Sequence, residues 1–220
     1  MFRPDAGSQF VNIFSMLLLV TTFAIVSQRR LSACVDLFAL QSLFLGLIAA
    51  LVAYLTGIHH IYVAALLTIV IKALIIPLIL KKVIEHLNVK RELVLNINIP
   101  FSLLICGALV ILAFSLTQPL ISLGFLLTKD SLAVALAIIL IGFFTMISRK
   151  KAVSQVIGFL VIENGIFLGA IAAAYGMPLI VELGILFDVL VASIITGIFT
   201  NRIQDAFDTI DVSQFKGKKE

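Results

Sequence analysis

Seven apolar runs, each near the length that crosses a bilayer, dominate the 220-residue chain: 10–26, 31–55, 61–80, 97–117, 131–147, 152–174 and 179–200. A hydrocarbon core about 30 Å thick takes about 20 helical residues. Lipid offers no partner to a backbone N–H or C=O, so such runs must satisfy those groups internally, as helices. The expected fold is therefore an all-α polytopic membrane protein with about seven transmembrane helices. An eighth apolar stretch, 120–127, is too short to cross and is expected at the interface or against the fourth span. Composition agrees: 61% of residues are hydrophobic and 13% charged, where a soluble domain carries about 25% charged residues. Mean hydropathy is +1.19. The first run is read as an uncleaved span, because its strongest positive charge, Arg29-Arg30, follows it rather than precedes it.

The net charge of +4 suits a nucleic-acid partner no better than a topology signal, since the basic residues sit in loops between spans. With the N-terminus outside, only Arg3 and Lys129 of the 16 Lys and Arg fall outside and Lys72 lies within a span; the rest collect on the inner side. That asymmetry predicts N-out, C-in. The third span is expected to end at Lys81-Lys82, opening a polar loop to Asn96, and the fourth to stop at Gln118-Pro119. Cys34 and Cys106 stand far apart with no CxxC or Cys/His spacing, so no metal centre or other cofactor is expected on this chain alone.

Charge inside the spans is the informative exception. Glu163 lies about midway along 152–174 and Asp188 about midway along 179–200, in two runs joined by a short turn at Tyr175–Pro178. An ionised carboxylate at the bilayer centre costs about 2.5 kcal/mol or more, so each is either a polar group bonded to a neighbouring helix or part of a proton path. Lys72 is a third mid-membrane charge, and must be paired, neutral or turned to a wet cavity. Proton carrier and fixed counter-ion to Asp188 or Glu163 both remain open for it. Glu182, nearer the outer face, reads as an outer entrance group. His59 and His60 read as hydrated loop residues. Asp36 is expected to meet the headgroups or Arg29 and Arg30.

A weak internal repeat is legible. Gln41–Ala50 (QSLFLGLIAA) echoes Asn164–Ala173 (NGIFLGAIAA); each copy follows a span closed by a basic cluster, SQRR or SRKK, and precedes a span with a central charge, Lys72 or Asp188. Spans one to three would then match spans five to seven as a parallel three-helix repeat. The chain divides accordingly into a three-span half, 1–96, carrying Lys72; a linking span and interfacial segment, 97–130; a second three-span half, 131–203; and a polar cytoplasmic tail, 204–220.

The segments Gly158–Gly165 (GFLVIENG) and Val181–Asp188 (VELGILFD), with Val70–Leu78 (VIKALIIPL) and Ile210-Asp211-Val212, resemble the hydrogenase-4 component E family over nearly the whole chain. The last three spans also resemble the complex I K subunit and the antiporter C subunit, in which two consecutive helices carry mid-membrane carboxylates; Glu163 and Asp188 fall on those positions. The K subunit usually has glutamate at the second, so Asp188 is one methylene shorter. Lys72 has no counterpart there. The resemblance implies a non-catalytic membrane subunit of a hydrogenase complex in a bacterial inner membrane. It also implies antiporter-like subunits and a peripheral hydrogenase arm as partners, with nickel–iron and iron–sulfur centres held in those partners. On that reading Glu163, Asp188, Lys72 and Glu182 serve proton transfer. A subunit of a multisubunit cation/proton antiporter, a stand-alone secondary transporter and a purely structural membrane-arm subunit are the competing functions. The coupling ion, the electron donor and the stoichiometry have no sequence signal.

Overall fold

A computed structural model describes residues 4–86, 97–121, 129–149 and 152–174. The described residues are helical apart from short connections, and six helices are long and apolar enough to cross a membrane. The expected seventh span, 179–200, lies outside them.

Helix α1 (Pro4–Ser27) breaks at the polar Gln28-Arg29-Arg30, and α2 (Leu31–Thr56) starts after Arg30 takes an extended backbone. α2 ends on Gly57, whose positive φ of 71° closes the helix with its N–H on the Ala53 carbonyl at 2.9 Å. The third span is one continuous rod in three parts: α3 (His59–Leu67), a π-helical stretch (Thr68–Ile75) and α4 (Ile76–His86). Then come α5 (Ile99–Ile121), α6 (Lys129–Ser148) and α7 (Ala152–Ala174). Hydroxyls inside the spans are satisfied one turn back: Ser15 donates to the Val11 carbonyl, Thr117 to Ala113 and Thr145 to Ile141, at 2.7–2.9 Å.

Two expected boundaries move. Lys81 to His86 continue the helix instead of opening a loop, because charged side chains at a span's end reach the interface while their backbone stays helical. Pro119 does not stop the fourth span, which runs to Ile121. A proline there forgoes its own N–H bond and crowds the turn before it, yet the helix continues through it for two more residues. Asp36 also finds a different partner from the one expected. It pairs with Lys81 at 2.5 Å, both side chains well exposed, because α4 packs along α2 at that end.

α1, α2, α6 and α7 form the centre, with α5 outside α1 and α6 and the third rod outside α2. α7 has 67% of its span window buried and α5 only 17%, which separates core from periphery. The tightest pairing is α6 with α7. A side chain on Gly158 would stand 3.1 Å from the Met146 nitrogen and 3.2 Å from the Gly142 carbonyl oxygen, backbone atoms that have nowhere to go. Small residues give membrane helices the close approach that the hydrophobic effect does not drive in lipid. Large apolar residues such as Leu104, Ile111 and Ile147 point outward, which suits a surface facing hydrocarbon and not water.

Candidate functional site: a buried ion pair on a hydrogen-bonded string

The π stretch carries Lys72. Its wider turns are visible where the Ile76 N–H reaches back five residues to the Ile71 carbonyl, and π turns recur at functional sites because the inserted residue re-aims neighbouring side chains. Pro77 follows at once; it lacks an N–H and crowds the turn before it, so a locally widened helix suits it. The result turns Lys72 inward while Leu74 and Ile75 face out.

Lys72 Nζ lies 3.0 Å from Glu163 Oε1, with the two side chains only 2% and 4% exposed. Glu163 comes from the middle of α7, and Phe167, one turn further on, sets its ring centroid 5.8 Å from the same ammonium. Desolvating each ion costs several kcal/mol, at the order of magnitude, which their mutual attraction repays only in good geometry. Such a pair is weak evidence for stability and stronger evidence for use.

The pair does not end there. Lys72 Nζ is 3.5 Å from Asn164 Oδ1. Asn164 Nδ2 donates to Gln41 Oε1 and to Ser42 Oγ on α2, at 3.2 Å each. Gln41 Nε2 in turn donates to Thr22 Oγ1 on α1 at 2.7 Å and reaches the Leu18 carbonyl at 3.5 Å. Thr22 donates to that same carbonyl at 2.8 Å. Every side chain in this string is buried, so four helical segments, from the third rod through α7 and α2 to α1, are joined by polar contacts across an apolar core.

No family model matches the chain, and no solved structure does. Among curated proteins, the uncharacterized protein Rv0085 of Mycobacterium tuberculosis is 34% identical over 200 residues, covering 90% of this chain and 91% of the relative. Hydrogenase-4 component E of Escherichia coli K12 is 26% identical over 216 residues, 97% of this chain and 99% of its own length. The Shigella flexneri protein of the same name matches to the same extent. The chain belongs to the hydrogenase-4 component E family. The match runs end to end, so both halves of the chain, including Lys72 and Glu163, fall within the family's own length.

Of the residues singled out in the sequence, Lys72 and Glu163 are brought together, and Asp188 and Glu182 lie outside the described residues. His59 opens α3 and is exposed. Cys34 and Cys106 are both buried thiols. Among the described residues no three His, Cys, Asp or Glu side chains gather, so the donor set there does not fit a nickel–iron or iron–sulfur centre. Sequence reasoning missed Thr22, Gln41, Ser42 and Asn164 as members of the site. Gln41 and Asn164 entered it only as letters of the repeat, yet two amides in the middle of apolar runs were themselves a signal, since lipid offers them no partner. These two positions, equivalent in the repeat, touch each other.

Arg149 is a further buried cation, just past the end of α6. Its guanidinium donates to the Val26 carbonyl at 2.7 Å and the Gln28 carbonyl at 3.4 Å, capping the C-terminal end of α1. There the helix dipole favours positive charge. Burial pushes its pKa down from the usual arginine value, and the neighbouring Cys34 acts in the opposite direction. Its role is to lock α6 to α1 at the basic end of the bundle.

Proposed function

We propose that this chain is an integral, non-catalytic membrane subunit of a membrane-bound hydrogenase complex, and that its buried charges pass protons through the membrane arm. The observation that carries the reading is the Lys72–Glu163 pair, 3.0 Å apart and closed off from the surface. A protonated carboxyl costs far less in hydrocarbon than a carboxylate, so Glu163 is a place where a proton can be held. Taking up that proton removes the negative charge facing Lys72. In a medium of low dielectric this changes the field at the next ionisable group strongly. Asp188 is that group in this proposal, and Glu182 the outer entrance; successive field changes hand the proton onward. Redox chemistry, with nickel–iron and iron–sulfur centres, belongs to partner chains of a peripheral arm, and antiporter-like subunits receive the proton.

The test is purification of the full chain from its native membrane in mild detergent. Hydrogenase subunits and antiporter-like subunits are expected to come with it. Recovery of the chain alone, or with cation/proton antiporter subunits and no hydrogenase, overturns the assignment in favour of a transporter. The inner membrane and the N-out, C-in orientation belong to the same proposal. Cysteines placed at Gly57 and Lys129 are expected to label from outside in intact cells, and those at Lys82, Lys151 and Lys218 not. Outside labelling at both Lys82 and Lys218 would reverse the orientation.

A further inference from the structure

At the basic end of the bundle, the last turn of α1 leaves carbonyls that no further helix satisfies. Side chains meet them instead. Ser27 donates to the Ala24 carbonyl at 2.8 Å and the Cys34 thiol of α2 to Ile25 at 3.7 Å. The Arg149 guanidinium takes Val26 and Gln28 at 2.7 and 3.4 Å. Ser154, in the first turn of α7, stands beside this cap but makes none of its bonds. It is only 3% exposed, and its hydroxyl has no hydrogen-bond partner among the described residues.

Ser154 lines a cavity of about 10 Å3 together with Ile25, Cys34, Thr145, Arg149 and Ile157. A single water needs about 10–15 Å3, so size alone excludes a lipid headgroup or any organic ligand. The polar groups around it then select among small occupants. Thr145 commits its proton to the Ile141 carbonyl at 2.7 Å, and Cys34 commits its own to Ile25. Each therefore has only lone pairs left to offer. Arg149 has five N–H groups and no acceptor, and two carbonyls do not exhaust them. Ser154 has both its proton and its lone pairs unspent. Donors and acceptors around one small space suit a molecule that carries both. Water accepts from Arg149 and Ser154 and has hydrogens for Thr145 and Cys34. An anion would be drawn to Arg149 but would meet the lone pairs of the other two, in a space too small for it.

We propose that this cavity is a binding site for one buried water, which joins Ser154 to Arg149, Thr145 and Cys34 and so ties α7 into the polar cap over α1. Buried waters typically make about three hydrogen bonds to polar groups that would otherwise go unmet, and are costly to remove. Arg149 by itself fastens α6 to α1. The water extends that fastening to α7, the helix that carries Glu163. The site shares no residue with the Lys72–Glu163 pair and stands independently of the proton-transfer reading.

The direct test is a map of the full-length chain in its membrane assembly, at a resolution that shows ordered water. A single peak is expected in the cavity, about 3 Å from Ser154 Oγ and from a nitrogen of Arg149. An empty cavity overturns the proposal. Thermal stability of the purified chain supplies a second test, because the two cases differ in sign. With water bound, Ser154→Ala loses a hydrogen bond and is expected to lower Tm by about 2–4 °C. In a dry cavity the same change removes a buried, unpaired hydroxyl, so Tm holds or rises and the proposal falls. Thr145→Val is then combined with Ser154→Ala, since no direct bond joins these two side chains among the described residues. A water shared between them makes the combined loss smaller than the sum of the separate ones; additive losses count against it. Finally, Tm is compared in chloride and in gluconate at equal ionic strength. No difference is expected. A lower Tm in gluconate identifies a bound anion and overturns the assignment to water.

Discussion

Lys72→Met is expected to be far more damaging than Lys72→Arg. Methionine fills a similar volume and suits hydrocarbon, yet it takes the ammonium away from Glu163 Oε1, 3.0 Å distant and buried with it. Removing one member of a buried ion pair costs about 3–5 kcal/mol, because the other charge is left without the compensation it was folded with. Arginine keeps the charge, and its longer fork has donors for both Glu163 and Asn164, so it is expected to assemble at near-normal levels. The measurement is the yield and thermal stability of the chain in mild detergent. Combining Lys72→Met with Glu163→Gln leaves no uncompensated charge at the pair and is expected to recover part of the loss. If Met and Arg are equally harmless, the pair contributes nothing and the site is wrongly placed.

A second large effect belongs to the carboxylates. Glu163→Gln keeps the shape of the side chain and leaves an amide oxygen to accept from Lys72, but it has no proton to exchange. Assembly is expected to stay close to wild type while proton-coupled activity of the complex falls on the order of 10²-fold, the scale of losing a positioned proton-transfer group. Asp188→Asn is expected to act in the same direction. Turnover and ion translocation are to be compared at equal amounts of assembled complex. Wild-type values for both in the double variant would leave the chain a purely structural subunit of the membrane arm.

These expectations draw on two kinds of information. Span positions were legible in the residues alone. The run 152–174 is the helix Ala152–Ala174, and 31–55 is the helix Leu31–Thr56 to within one residue. The reason is that bilayer thickness and the need to satisfy the backbone within one segment act locally on length and hydropathy. The presence of charge at mid-membrane was legible for the same reason, and so was the need of Lys72 for a partner. Which partner it takes was not. That depends on which faces of α2, α7 and the third rod meet, and so on small-residue contacts and on the π stretch, which no hydropathy pattern reports. Asp36 makes the same point: its near neighbours in sequence, Arg29 and Arg30, lose it to Lys81 on another helix. The string from Lys72 to Leu18 is the extreme case. Its members are spread from position 18 to position 164 and none of its direction is written in any one segment. The sequence determined how many residues could cross and where charge would be costly; only the packing of four helical segments decided that Glu163 and the amide of Asn164 are brought to Lys72 to meet that cost.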